Sequence, residues 1–318
     1  MNEKIFINIA SFRDPSLIIT IKSALLHAAH PENLVFGIGL QYYDDEIPNL
    51  SFIENQIRTL SYHPDTRPGV VKVRYEISKL IADEKYFLMI DSHTLFYPNW
   101  DEIAIRNLAA AEKKSNHDKV IISGNNLHSS GKLFYSYIYK IEDGFEDYPI
   151  LNLIPKYYKK EEEIFQHYHI DCSSLFTYSN FLTDVGLDSH SDFLLEEPYL
   201  SWKAHISGWD VYVPESLYLY QSPFSYFNIV WNNDIESKSY MRKETAPSNK
   251  DRIDMFSAMV FNKSQAYSAK NQRRSEDSFW ELVGQKNSFN KLKKSKKFAQ
   301  QLKNHNIFNV EDLSHNIN

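Results

Sequence analysis

An apolar run ends in Asp91-Ser92-His93, within Phe87-Leu-Met-Ile-Asp-Ser-His-Thr-Leu-Phe96. In extended backbone, residues two apart point to the same side, so Asp91 and His93 can converge on one ion. A carboxylate beside an imidazole suits Mn²⁺, or a related divalent ion such as Mg²⁺, better than Ca²⁺. Two protein ligands leave positions open for a diphosphate, as divalent ions require in group-transfer enzymes. The same spacing also fits a capping Asp followed by a surface His. Arg67 and Arg74 lie seven residues apart, on one face of a helix and two turns from each other. They make either a phosphate-binding stripe or a solvated basic face. Glu196 and Glu197 sit at a helix start, Leu-Leu-Glu-Glu-Pro-Tyr-Leu-Ser-Trp, where the helix dipole also favours acids.

The surrounding pattern supplies elements to hold these side chains. Residues 4–10 read as a buried strand. Asp14-Pro15 then reads as an N-cap with Pro at the first helical position, opening a helix whose face is Ile18, Ile21, Leu25 and Leu26. Residues 34–41, 86–90 and 119–123 read as strands, and residues 67–82 and 100–114 as helices. Strands alternating with helices predict a mostly parallel α/β sheet. Such sheets bind ligands at the carboxyl ends of their strands, here residues 11–14, 41–46 and 91–93. Beyond about residue 125 the pattern is less regular. Residues 134–140, 165–178, 209–213 and 217–221 read as strands, and 193–205, 279–283 and 289–302 as helices. With no linker rich in Gly, Pro or Ser, the reading is one continuous domain over residues 1–285 and a basic helical tail over residues 286–318.

Composition narrows the classes. With 318 residues, 42% hydrophobic and 24% charged, the chain is neither collagen-like, coiled-coil nor disordered. One cysteine, Cys172, excludes a disulfide framework and a cysteine-based zinc cluster, and suits a reducing compartment. The net charge of −6 makes nucleic acid an unexpected partner. That charge is unevenly spread: residues 286–303 hold seven Lys and no acid, and the rest carries 28 basic against 41 acidic residues, a balance of −13. Phe289, Leu292, Phe298 and Leu302 interleave those lysines. The tail is therefore either an amphipathic helix for anionic lipid or a solvated terminal helix. No signal-peptide pattern opens the chain, and its apolar runs are too short to span a bilayer. The expected location is the cytoplasm, peripheral at the inner membrane face at most. Trp202, Trp209, Trp231, Tyr218, Tyr220 and Tyr226 offer rings for sugar stacking or for core packing.

At Asp91-Ser92-His93 the chain resembles the Asp-X-His motif of a GT-A-type glycosyltransferase family. That family includes the UDP-GlcNAc:hydroxyproline polypeptide GlcNAc-transferases and their bacterial relatives. Other segments follow in the family's order. Ile5-Phe-Ile-Asn-Ile-Ala-Ser-Phe-Arg-Asp-Pro15 resembles its opening strand and Ala-Ser-Tyr-Arg-Asp-Pro turn. Phe36-Gly-Ile-Gly-Leu-Gln41 resembles its second strand, and Arg67-Pro-Gly with Val-Arg74-Tyr75 its Arg-Gly…Ala-Arg helix. Phe193-Leu-Leu-Glu-Glu197 with Gly208-Trp-Asp-Val-Tyr-Val-Pro214 resembles its Gly-Glu-Glu helix and Gly-Trp-Asp strand. Arg273-Arg-Ser-Glu-Asp-Ser-Phe-Trp280 resembles its C-terminal Arg-Ser…Tyr segment. The likeness spans roughly residues 4–285 and implies a GT-A-like (Rossmann-like) fold with a helical C-terminal extension. It implies a UDP-sugar donor, GlcNAc as the sugar, retention at the anomeric carbon and a hydroxyl acceptor on a glycan, as in bacterial surface polysaccharide, or on a protein.

By the same resemblance, Asp91 and His93 hold the metal, and Ser11, Arg13, Asp14, Gln41, Arg67, Arg74 and Asp91 surround the donor. A guanidinium at Arg13 suits phosphate, and Asp14 can accept from uracil or ribose. Glu196 and Glu197 are the catalytic candidates, facing the acceptor and the reacting sugar. Two positions depart from the family. Gln221 stands where relatives usually carry a third metal-ligating His, and Leu195 replaces the Gly of Gly-Glu-Glu. The Gln221 departure motivates a second reading, a non-catalytic nucleotide-sugar or glycan binder on a transferase scaffold. A metal-dependent phosphohydrolase is a third reading. It needs a further carboxylate cluster near Asp91, and the sequence reveals none.

Overall fold

The computed structural model describes residues 3–66, 68–124, 126–127, 133–142, 150–157, 163–189, 193–221, 249–264 and 266–307. Arg67, Tyr226 and Trp231 lie outside these residues.

Strands β1 (Ile5–Phe12), β2 (Leu34–Gln41), β3 (Ile57–Tyr62), β4 (Tyr86–Asp91), β6 (Val120–Ile122), β10 (Phe165–His167), β11 (Ser174–Tyr178) and β12 (Asp210–Val213) form one mixed sheet. Its order is β10-β12-β6-β11-β4-β1-β2-β3. β1 is parallel to both β2 and β4, and β2 is parallel to β3. β12 is parallel to β6, while β11 at the centre is antiparallel to β4 and β6, and β10 at the edge is antiparallel to β12. Two smaller sheets pair β5 (Thr94–Phe96) with β13 (Leu219–Gln221), and β7 (Asn126–Leu127) with β8 (Leu133–Glu142) and β9 (Ile150–Tyr157).

Alternation along the strands divides the core into two layers. Ile5, Ile7, Ile9, Tyr86, Leu88 and Ile90 face helices α1 (Leu17–His27) and α3 (Trp100–Ser115). Phe6, Phe87 and Met89 face α2 (Val70–Ser78), α4 (Phe181–Asp184) and part of α5 (Phe193–Ile206). A third core lies outside the sheet. There α5 supplies Tyr199, Trp202 and Ile206 to a cluster with α6 (Asn249–Phe261), α7 (Glu276–Leu282), α8 (Lys286–Lys293) and α9 (Lys296–Asn304). The GT-A-like, mostly parallel α/β architecture expected from the sequence is present.

Some boundaries differ for local reasons. The first helix starts at Leu17, after Ser16, because Asp14 Oδ1 accepts the Ser16 N–H in a turn (2.8 Å) instead of capping the helix itself. The second helix starts at Val70, not 67, since Gly69 has a φ of 76° and cannot continue a right-handed helix. It stops at Ser78, and the Ala82 N–H goes to the Glu84 carboxylate (2.7 Å) instead of a helical carbonyl. The expected strand over 165–178 is two strands, β10 and β11. The Ser174 N–H turns back to the Asp171 carbonyl (3.0 Å) and breaks the run. β3, β5, β7 and β9, and the helices α4 and α6, were not read from the sequence.

The lysine-rich segment is two short helices, not one. Ser295 separates them and caps α9 by accepting the Phe298 N–H. Their apolar residues Phe289, Leu292, Phe298 and Leu302 are buried in the third core, with Phe289 stacked on Trp280. No helix among the described residues is long and apolar enough to cross a membrane.

Candidate active site

Register brings the sequence-predicted residues to one edge. Asp91 lies opposite Ala10, and Phe12 opposite Gln41, so the carboxyl ends of β1, β2 and β4 finish side by side. The turn after β4 is stapled to α1. Thr20 Oγ1 donates to the Ser92 carbonyl (2.7 Å) and accepts the Thr94 N–H (3.0 Å). Asp91 and His93 are thereby fixed on the same side, with Asp91 Oδ2 and His93 Nε2 3.8 Å apart.

Each member of the pair has its own support. Asp91 Oδ1 accepts from Arg74 Nη2 (2.7 Å), and Oδ2 accepts from Gln221 Nε2 (2.7 Å). Gln221 therefore reaches the position implied by the resemblance, but orients Asp91 through its amide nitrogen. His93 Nδ1 lies 3.0 Å from Asp14 Oδ2, which also accepts from Ser92 Oγ (2.6 Å). With Nδ1–H donating to that carboxylate, Nε2 is the nitrogen left toward Asp91. Burial works against charge on both groups. The bonds from His93, Ser92 and Ser16 nonetheless hold Asp14 below its usual range. For His93, burial is outweighed by the bond to Asp14 and the nearby carboxylates, and its pKa rises. Asp14, placed by sequence beside the nucleotide, here serves as the carboxylate that orients His93.

Ser11 and Tyr42 complete this corner. Ser11 Oγ and Tyr42 Oη are 2.6 Å apart, and Tyr42 Oη also accepts the Asp14 N–H (3.0 Å). Burial pushes the Tyr42 phenol up to about 12, so it stays protonated. Tyr42 was missed by sequence reasoning, though its place directly after Gln41 at a strand end was a signal. Gln41 itself is buried, and its carbonyl accepts the Arg13 N–H (3.1 Å). Arg13 takes a left-handed φ of 47°. Its guanidinium grips Glu46 through two bonds, at 2.7 and 2.6 Å, and lies over the Tyr43 ring.

Arg74 projects from α2 into the centre of the site. Its side chain is 5% exposed, and Nη1 donates to Glu196 Oε2 (2.9 Å) while Nη2 holds Asp91. The guanidinium expected at a pyrophosphate thus binds two carboxylates of the protein. Glu197 is separate from this bridge. Its Oε1 accepts the Cys172 N–H (3.1 Å), and its Oε2 lies 3.6 Å from His169 Nε2. Burial raises the Glu196 carboxyl, against the pull of Arg74. Burial and the charge of Asp171 raise Glu197 well above its ordinary value. Asp171, bonded to the Ser173 N–H (2.8 Å) and hydroxyl (2.6 Å), was also missed. His169-Ile-Asp171 repeats the two-residue spacing of Asp91 and His93, a signal hidden by the long strand expected there. Trp202, Trp209 and Tyr218 are buried core residues, which rules out the sugar-stacking role for these three.

The donor set suits a divalent cation. Asp91, Asp171, Glu196 and Glu197 gather around Arg74, with His93 beside Asp91 and His169 beside Glu197, and a histidine backed by a carboxylate is a common metal-ligand arrangement. Among the described residues no group of three or more His, Cys, Asp or Glu side chains converges on a metal position. An ion shared by Asp91 and His93 would therefore complete its coordination from substrate or water.

Residues 4–54 and 46–285 match the family model "Glycosyltransferase (GlcNAc)". The chain belongs to this GlcNAc glycosyltransferase family. No match was found among curated protein sequences. Among solved structures, the chain is similar to GalNAc-T7, crystallised with UDP, GalNAc and Mn²⁺. The TM-score is 0.54 at 12% identity, covering 99% of this chain and 56% of that one. At that identity the likeness establishes the fold, and this member of the GlcNAc family spans little more than half the length of that protein.

Proposed function

We propose that the chain transfers GlcNAc from UDP-GlcNAc to a hydroxyl acceptor, with retention at the anomeric carbon. The acceptor is a glycan of a surface polysaccharide or a protein hydroxyl, and the setting is cytoplasmic. The observation that carries the reading is the Asp91–His93 pair, at the carboxyl edge of the sheet and tied by Arg74 to Glu196. The family supports transfer of a GlcNAc-type sugar, and the UDP and Mn²⁺ of the GalNAc-T7 crystal support the donor and ion. Asp91 and His93 would hold Mn²⁺ or Mg²⁺, which when bound would neutralise charge on the departing diphosphate.

In the transfer the C1–O bond to UDP breaks, the acceptor oxygen bonds C1, and the acceptor proton passes to a base. Two adjacent carboxyls with different surroundings can divide such work. Arg74 bonds Glu196 directly and favours its anion, suited to balancing positive charge at C1. Glu197, with its raised pKa, is suited to holding a proton. Asp14 keeps His93 turned toward Asp91, and Gln221 holds the Asp91 carboxylate in place.

The test is incubation with Mn²⁺ and a panel of nucleotide sugars, following release of the nucleoside diphosphate. UDP-GlcNAc should be turned over, and Asp91→Ala and His93→Ala should each cost about 100-fold or more, as loss of a metal-site residue does. Gln221 on Asp91 Oδ2 favours one second reading, a non-catalytic nucleotide-sugar or glycan binder. Donor binding without turnover of any sugar nucleotide would decide for it.

A further inference from the structure

Among the described residues, the surface of α8 and α9 is strongly cationic and almost unopposed. Lys286 pairs with Glu281, and Lys293 with Asp277 at 2.6 Å. Lys291, Lys294, Lys296, Lys297 and Lys303 are exposed and carry no ion pair to a described residue. No acid occurs between residues 282 and 310. At helical spacing, Lys291 and Lys294 lie opposite the buried Phe289–Leu292 side of α8, and Lys296 and Lys303 lie opposite Phe298 and Leu302 on α9. Both helices pack against one core, so both charged faces point away from it.

The chemistry of this surface selects its partner. It presents lysines without arginine and without an exposed aromatic ring. It therefore lacks the planar fork that grips single phosphates and the rings that stack bases or sugars. Compact ammonium charges on mobile stems respond instead to an extended negative field. The apolar side chains that would enter a bilayer are already inside the protein: Phe298 is 2% and Leu302 0% exposed. The −13 balance of the rest of the chain would turn that body away from the same field.

We propose that this lysine surface docks the protein on an anionic lipid bilayer by charge alone, without insertion. The inference goes beyond the transfer reaction and is measured without donor or acceptor. The full-length protein is co-sedimented with vesicles of phosphatidylcholine, with or without phosphatidylglycerol. Binding is expected only to the anionic vesicles, vanishing by about 0.5 M salt because the charges are exposed. Each Lys→Gln change among the five should weaken binding about fivefold. Replacing all five by Gln should abolish it, while replacing all five by Arg should keep it, which separates lost charge from lost folding. Equal binding to neutral vesicles, salt-resistant binding, full binding by the Gln variant or loss of binding in the Arg variant would each overturn the proposal. So would capture by a soluble anionic polysaccharide with no vesicle binding.

Discussion

Arg74 lies between Asp91 and Glu196, with its two Nη groups at 2.7 and 2.9 Å from their carboxylates. Removing it leaves two acids facing each other in a poorly solvated cleft. Arg74→Met should therefore destabilise the fold by about 3 kcal/mol, the cost of breaking a buried ion pair from one side. It should also lower kcat by about 100-fold with little change in the donor KM, because the lost contacts are to the protein. Thermal unfolding and steady-state kinetics measure both, and a KM rise larger than the kcat loss would return Arg74 to the phosphate. At this scale the sequence revealed residue types better than partners. Asp91, His93, Glu196 and Arg74 do meet, as their motifs suggest. That Arg74 would hold carboxylates was not legible, since the partners come from positions 17 and 122 residues away. Asp14 likewise reads as a cap or a nucleotide ligand until the turn after β4 folds back onto it.

The elements explain how α2 gets close enough to deliver Arg74. A Cβ on Gly37 would lie 2.2 Å from Phe6 Cζ, and one on Gly39 would lie 2.2 Å from Val73 Cγ1. The two glycines of β2 form the bed on which α2 rests. Gly39→Ala should push α2 outward, destabilising the protein by about 1–3 kcal/mol through overpacking and lowering transfer activity by moving Arg74. Denaturant unfolding checks the first effect, and activity at a temperature where the variant remains folded checks the second. Most strands and helices of the first 122 residues were readable because apolar runs and helical periodicity are strong there, whereas the short β5 and the half-buried β3 were not. The bend between β10 and β11 was not readable, because apolar residues flank it on both sides and the turn at Asp171 is closed by a single backbone hydrogen bond. Asp171 was lost with it.

At the scale of the whole molecule, buried histidines set the acid limit. His169 is 1% exposed, and burial, followed by the charge of His167, pushes its pKa to about 3. Burial and Arg274 push His205 to about 4. Once unfolded, both regain a value near 6.5. The unfolded chain then binds protons that the folded chain refuses. The contribution of these two histidines is complete above about pH 6.5 and is lost as pH drops toward 4 and 3, by up to about 1.4 kcal/mol per pH unit for each. Melting temperature followed downward from neutral pH should show the decline, and His169→Gln should make it shallower. A steeper decline in the variant would contradict the assignment. The GT-A-like sheet was legible at this scale, but the third core was not. Its helices are short and polar outside, so their sequence resembles a solvated tail until α5 provides an apolar partner.

The antiparallel contact between β4 and β11 also carries a history. On one side stand β1 to β4, a continuous stretch of chain from residue 5 to 91; on the other stand β6, β10, β11 and β12, all from residues 120–213. A ribosome releases these two stretches in sequence, and N-terminal units fold first. The early stretch can already bring Arg74 to Asp91, whereas Glu196, Glu197, Asp171 and Gln221 are still to be made. The pocket closes only when the later strands dock along that seam. Arg74 and Asp91 come from the early stretch and Glu196 from the later one, so the bridge that joins them spans the seam between the two.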